Sequence, residues 1–310
     1  MQILLTGSTG MLGTAILNEL SKTEHNVFSP HRIELDLLDY EAVQKYFQEN
    51  SFDFVVHCAA EVAGIAGNIQ YSSRMLRTNL RIDGNVFDAA LKREVKNLIY
   101  FGSSCMYPVV NDALFTTEDL FKGELEKTNE AYAISKLAGW KTAEHVSREY
   151  GFSWKTFILS NLYGPSDHFE PERSHLLAAI INKVHWAIQN NSQSIIMWGD
   201  GSPKREFTYV EDVAKFVTKS IHNFESLPEI MNLGSGADYT VEDYYRFCFE
   251  VMGYKGDLES DMSKPKGVQS KLMDSSIATS LGWSSPTTIH EGIRSTYQWF
   301  SGNKNGGRDD

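Results

Sequence analysis

The sequence predicts an α/β fold, a doubly wound parallel sheet followed by a smaller C-terminal α+β lobe. Three observations carry this. Uninterrupted apolar runs such as "ILLTG", "FDFVVHCAA" and "NLIYFGS" alternate with segments of helical period up to Ser160. A glycine-rich turn joins the first run to the first helix. After "NLYGP" at Asn161 to Pro165 the alternation loosens. Apolar runs without polar alternation belong to strands buried on both faces, as in a parallel sheet covered by helices on either side.

In chain order, "ILLTG" is the first strand, Met11 to Leu20 the first helix and "HNVFSP" the second strand. "YEAVQKYFQEN" is the second helix, "FDFVVHCAA" the third strand, and Asn79 to Lys92 the next helix. "NLIYFGS" is the fourth strand, Ala131 to Tyr150 a helix, and "WKTFILS" the strand after it. Beyond a Pro/Ser/His-rich stretch come a long helix at Leu176 to Gln189, short elements, and a terminal helix near Ile289 to Phe300. The segment "YVEDVAKFVTKSIHNF" is expected to return to the main sheet as a helix. The expected division is therefore a nucleotide domain at 1–165, with a returning segment near 208–235, and a substrate lobe at 166–207 and 236–300. The polar, glycine-rich 301–310 reads as a flexible tail.

Composition narrows the class. The chain has 310 residues, 42% of them hydrophobic and 12% aromatic, enough for one large domain or two lobes. A formal net charge of −11, with only short basic clusters, argues against a nucleic-acid partner. Cys58, Cys105 and Cys248 are an odd number with no metal-ligand spacing, and the N-terminus enters a strand without a leader. A reducing, cytoplasmic compartment is expected, with no metal. No apolar run reaches the roughly 20 residues that span a bilayer, so no membrane partner is expected.

"TGSTGMLG" places Gly7, Gly10 and Gly13 between strand and helix, with Met11 opening the helix. Glycines permit the tight turn and the close approach of backbone to a pyrophosphate, and the helix N-terminus supplies N–H donors. This is the Rossmann arrangement for a dinucleotide. The second strand is followed by His31 and Arg32 rather than by a carboxylate that would accept from a ribose 2′-hydroxyl. A cation at Arg32 suits a 2′-phosphate and so NADPH, the alternative being a solvated surface charge.

Tyr132 and Lys136 in "YAISK" stand four apart and share one helix face. A lysine ammonium beside a phenol stabilises the phenolate, which is expected to lower the Tyr132 pKa and fit it for proton exchange with a carbonyl oxygen. Ser103, at the tip of the fourth strand, can hydrogen-bond the same oxygen. The bland alternative is a packed tyrosine beside a snorkelling lysine. "GSSCMYP" adds a thiol, Cys105, at that tip. A thiol can remove a proton from carbon where a neighbouring ketone acidifies it, and core filler is the competing use of a lone cysteine.

The glycine loop, Ser103 and the Tyr132–Lys136 pair together resemble the extended short-chain dehydrogenase/reductase family. "GSSCMYP", "GELEKTNEAYAISK", "NLYGP", "SH", "WGDGSPKREFTYVEDVA" and "NLGSG" narrow the resemblance to its branch that epimerises and reduces GDP-4-keto-6-deoxymannose, over nearly the whole chain. The resemblance implies NADPH as cofactor, a GDP-linked 4-keto sugar as substrate, GDP-L-fucose as product and a homodimer formed through helices that include the one bearing Tyr132. It implies Cys105 as base and His175 as acid for epimerisation at C3 and C5. It also implies Arg205 at the diphosphate, and Asn161, Trp198 and Lys271 at the substrate. For Trp198 a half-buried strand aromatic is the alternative. Related reductases act on GDP-4-keto heptoses or dideoxy sugars, some without completing both epimerisations. A non-catalytic NADP(H)-sensing module is the competing class; it would have no use for Ser103, Tyr132 and Lys136 together.

Overall fold

From β1 (Gln2–Thr6) the chain turns into α1 (Met11–Leu20) and continues as β2 (Asn26–Phe28), α2 (Tyr40–Glu49), β3 (Phe54–His57), α3 (Ile65–Gln70), α4 (Ser72–Lys92) and β4 (Asn97–Ser103). A 3-10 turn (Ser104–Met106) and short β5 (Leu114–Phe115) precede α5 (Glu130–Tyr150), β6 (Ser153–Leu159) and β7 (Asn161–Tyr163). Next come α6 (Leu176–Gln189), β8 (Ser194–Trp198), β9 (Lys204–Tyr209), α7 (Val210–Ser220) and β10 (Ile230–Leu233). Last are β11 (Asp238–Thr240), α8 (Val241–Met252), β12 (Asp257–Asp261), β13 (Leu272–Met273), α9 (Ser276–Ser280) and α10 (Ile289–Lys304). This computed structural model describes residues 1–110, 114–170, 174–263 and 270–304.

Six strands form one parallel sheet in the order β2-β1-β3-β4-β6-β10. Strand periodicity sends alternate side chains to opposite faces. Leu4, Val55, Leu98 and Ile158 pack beneath α2, α4 and α5 with Phe47, Val86, Phe87 and Trp140. Ile3, Leu5, Val56, Ile99 and Phe157 pack on the other face with Ile16 of α1 and Val213, Phe216 and Val217 of α7. The sheet is thus doubly wound, as the uninterrupted apolar runs predict.

A third core collects Tyr163, Leu177, Ile181, Val184, Phe207, Tyr244, Phe249, Ile293 and Phe300 from α6, α8, α10 and the small sheet β11-β9-β7. The chain crosses back more than once. Helix α7 packs on the main sheet, β10 extends its edge, and Ala278 and Trp283 join its core. Asn232 of β10 ties the returning parts together: it accepts from the Tyr107 hydroxyl at 2.6 Å and donates to the carbonyls of Phe115 and Asp274, both at 3.0 Å.

Several boundaries differ from expectation, and α3 is an added helix; two differences extend long helices. Helix α4 begins at Ser72, seven residues before Asn79; only Met75 of its first turns is deeply buried, so the sequence shows no apolar stripe there. Helix α10 runs on to Lys304 through the start of the expected tail. There Ser301 donates to the Gln298 carbonyl and Asn303 to the Trp299 carbonyl, which keeps polar residues within the helix. The rest of the expected tail, 305–310, lies outside the described residues. Among the described residues no helix is long and apolar enough to cross a membrane.

Candidate active site

The glycine turn is required by its geometry. Gly7 has φ +67°, and a Cβ there would lie 2.6 Å from the Ala59 backbone nitrogen. A Cβ at Gly13 would run into the Gly7 carbonyl. Gly10 is the extended N-cap of α1 and contributes no side-chain cap, and Met11 is the first helical residue. The first-turn N–H groups therefore face a bare backbone cradle that a side chain would fill, which fits a dinucleotide pyrophosphate. Beyond β2 lies a cavity of about 290 Å³ lined by Phe28, Ser29, Pro30, Glu34 and Tyr46. Arg32 stands exposed in the following turn, its Nε 3.8 Å from Asp36 Oδ1.

At the carboxyl end of β4, Ser103 caps the 3-10 turn by accepting from the Cys105 N–H at 3.3 Å. That use leaves the hydroxyl proton of Ser103 available to donate. The Ser103 N–H is itself directed at Met106 Sδ, 3.4 Å away, so the turn holding the thiol is fixed from inside. Tyr132 and Lys136 enter from the first two turns of α5. The Lys136 ammonium lies 5.9 Å from the Tyr132 ring centroid and 4.6 Å from that of Tyr100.

The electrostatics correct one expectation. Burial pushes the Tyr132 phenol well above its ordinary range, and the charges of Cys105 and Asp83 push it further. Lys136 does not win that balance, because burial works against its own charge, with Asp83 and Cys58 opposing the loss. Tyr132 is consequently a held proton donor in the free protein. Cys58 is half-buried and its thiol is raised by desolvation; Cys248 is likewise raised within the third core.

Arg205 on β9 faces the same turn. Burial lowers its guanidinium, while Glu126 and Cys105 favour its charge. Burial also pushes the Glu126 carboxyl up, but Lys271, Thr128 and Arg205 together outweigh it and hold the group below its usual value. Lys271 Nζ lies 3.2 Å from Glu126 Oε2. The structure thus joins Cys105, Tyr132, Arg205, Glu126 and Lys271 into one electrostatic group. His175 sits apart from these contacts, as N-cap of α6, its imidazole lowered by burial. Asn161 donates its amide to the Glu206 carbonyl at 2.9 Å, a link between β7 and β9. Trp198 is 64% exposed at the end of β8, with the Lys183 ammonium 5.5 Å from its ring centroid.

Sequence reasoning missed Lys183, Glu126 and Asp83. Lys183 had a signal, as the lone cation in the apolar helix "LLAAIINKVHWAI". Asp83 had one too, since it falls with Asn79, Val86 and Phe87 on the buried stripe of α4.

A dinucleotide cradle and a Ser-Tyr-Lys group at the carboxyl ends of one parallel sheet define a nicotinamide-dependent oxidoreductase class. The chain belongs to the NAD dependent epimerase/dehydratase family, which its residues 3–234 match. It is 40% identical over 299 residues to GDP-L-fucose synthase of Azorhizobium caulinodans, covering 96% of each chain. It is 39% identical over 306 residues to GDP-L-colitose synthase of Yersinia pseudotuberculosis, covering 98% of this chain and 99% of the relative. Among solved structures it resembles a GDP-mannoheptose C4 reductase from Campylobacter jejuni with NADP bound, at TM-score 0.88 and 30% identity over 97% of this chain and 98% of the other.

Proposed function

We propose that the protein is an NADPH-dependent enzyme that epimerises GDP-4-keto-6-deoxy-D-mannose at C3 and C5 and reduces it at C4, yielding GDP-L-fucose. The observation that carries this reading is the thiol of Cys105, held on a side-chain-capped turn at the end of β4, whose charge acts on both Tyr132 and Arg205. A simple reductase has no use for a base there.

Gly7, Gly10, Met11 and Gly13 hold the pyrophosphate of NADPH, Arg32 its 2′-phosphate, and Tyr132 and Lys136 its nicotinamide end. When bound, NADPH supplies the hydride for C4. The 4-ketone acidifies C3 and C5, because the anion delocalises as an enolate. Cys105 removes the proton on one face and His175 returns one on the other. Burial keeps His175 neutral in the free protein, and the negative charge of a bound GDP-sugar opposes that shift. Ser103 and Tyr132 then hold the C4 oxygen, and Tyr132 gives it the proton. Arg205 and Lys271 meet the diphosphate, with Glu126 paired to Lys271, and Asn161 and Trp198 line the rest of the substrate site.

In this reading 1–165 with 208–235 forms the cofactor half, and 166–207 with 236–300 the substrate half. Exposed Ile134 on α5 and neighbouring Phe121, 41% and 63% exposed, suit a homodimer formed through that helix. Free thiols at Cys58, Cys105 and Cys248 suit a reducing cytoplasm.

A second reading, favoured by the relatives named for colitose and heptose chemistry, is C4 reduction with one epimerisation or none on another GDP-4-keto sugar. The test is incubation with GDP-4-keto-6-deoxymannose and NADPH in deuterated water. Deuterium at C3 and C5 of a GDP-L-fucose product is expected. Reduction without exchange at those carbons would transfer support to the second reading.

A further inference from the structure

Behind the Tyr132–Lys136 pair lies a polar row that the reaction outlined above does not use. Thr6, His57 and Tyr100 stand in register on β1, β3 and β4, so their side chains project to one face. Asp83 of α4 closes the row from the helical layer. His57 Nδ1 lies 2.7 Å from Thr6 Oγ1, His57 Nε2 lies 3.1 Å from Asp83 Oδ1, and the Tyr100 hydroxyl donates to Asp83 Oδ2 at 2.7 Å. All four are at most 3% exposed.

One proton arrangement satisfies every member. Thr6 Oγ1 accepts from the Ala59 N–H at 3.3 Å, so its own proton goes to His57 Nδ1. His57 Nε2–H then donates to Asp83, whose other oxygen takes the Tyr100 proton. The Asp83 carboxylate thus accepts from both His57 and Tyr100. A buried carboxylate needs a countercharge. Lys136, 4% exposed, sits with its ammonium over the ring of Tyr100, whose hydroxyl donates to Asp83.

We propose that Asp83, held by this row, is the buried countercharge of Lys136 and acts through it as a positioning residue for proton transfer at Tyr132. The inference rests on the functional reading above. The groups facing Lys136 are Tyr100 from β4, Cys58 after β3 and Tyr132 on its own helix. One layer out are His57 against Asp83 and Cys105 against Tyr132. Asp83 favours the proton on both members of the pair, opposing the burial of Lys136 and adding to that of Tyr132. Its removal therefore moves both titrations the same way, toward lower pH.

The test is the rate of NADPH oxidation with GDP-4-keto-6-deoxymannose from about pH 6 to 10, for wild type, Asp83→Asn and Asp83→Glu. Burial holds the Tyr132 titration above this range, so the basic limb reports the Lys136 proton; in Asp83→Asn it should fall about one pH unit lower, and Asp83→Glu, which keeps the charge, should restore it. Asp83→Ser, also neutral, replaces Asp83→Asn if that variant does not accumulate. An unmoved limb in a folded neutral variant, or an equal shift in Asp83→Glu, overturns the proposal. A substrate-free arm follows the Lys136 ε-carbon resonance of the wild type, assigned by its loss in Lys136→Arg. A protonated amine at about pH 8 is expected, and a neutral one overturns the proposal by itself. If the wild type does not turn over this sugar, the functional reading fails while the resonance still decides the role of Asp83.

Discussion

Replacing Gly139 by Ala should destabilise the protein, although it improves a helix. Gly139 lies in the buried face of α5, and a Cβ there would collide with the hydroxyl and ring of Tyr100. Helix propensity alone favours Ala by about 1 kcal/mol. Displacing Tyr100 sacrifices its 2.7 Å bond to the Asp83 carboxylate, a charge-assisted interaction of about 1.5 to 3 kcal/mol. Overpacking a closed core adds about 1 to 3 kcal/mol. The net loss is about 1.5 to 5 kcal/mol, which for a chain of 310 residues lowers the melting temperature by about 2 to 8 °C. Gly84→Ala is the control, since a Cβ at that position in α4 meets nothing within 4 Å and propensity alone should raise stability. Scanning calorimetry of both variants decides the matter. Gly139→Ala melting at or above the wild type, alongside Gly84→Ala, would show that Tyr100 is not confined as described.

Asp167 carries one of two large pH dependences expected of stability, the other being Glu206, which burial also pushes up to about 7. The Asp167 carboxyl is pushed up to about 7 by burial, against the His168 N–H that it accepts at 2.7 Å. The folded state thus holds this proton more tightly than the unfolded one, and the stability gained is present at low pH and lost as pH rises toward 7. The difference is about 4 kcal/mol as an order of magnitude. Asp167→Asn should flatten the denaturation midpoint between about pH 4 and 7 relative to wild type, and an unchanged slope would refute the assignment. Arg32→Ala should leave the melting temperature unchanged and reduce kcat/KM for NADPH, with little effect for NADH. A loss of about ten to a hundredfold matches one charge-assisted contact of about 1.5 to 3 kcal/mol, and equal losses for both cofactors would count against a 2′-phosphate contact.

The parts legible in the sequence are those whose causes are local. The Gly7–Gly13 turn and helix α1 were visible because spacing and periodicity act within about ten residues of chain. Tyr132 and Lys136 were visible because four residues on a helix define a face. The pairing of Asp83 was not, whatever its place on the α4 stripe suggested, because its partners His57 and Tyr100 lie 26 and 17 residues away on other elements. Strands β5, β11 and β13 were equally hidden: they are two or three residues long and exist only through pairing with distant segments. The height of the Tyr132 pKa also escaped, since charge proximity can be read from spacing whereas enclosure cannot.

The Asn232 clamp sets an order of assembly. Its bond to Tyr107 spans 125 positions of chain, and its bond to the Asp274 carbonyl requires a segment later still. A ribosome that has released β1 through β6 has supplied five neighbouring strands of the sheet and the whole glycine turn. The stretch that follows the thiol still lacks its fastening. The turn that carries the thiol is therefore fastened only once β10 and the segment at Asp274 have joined, so closing the sheet's edge and fixing the proton-exchanging turn are one event.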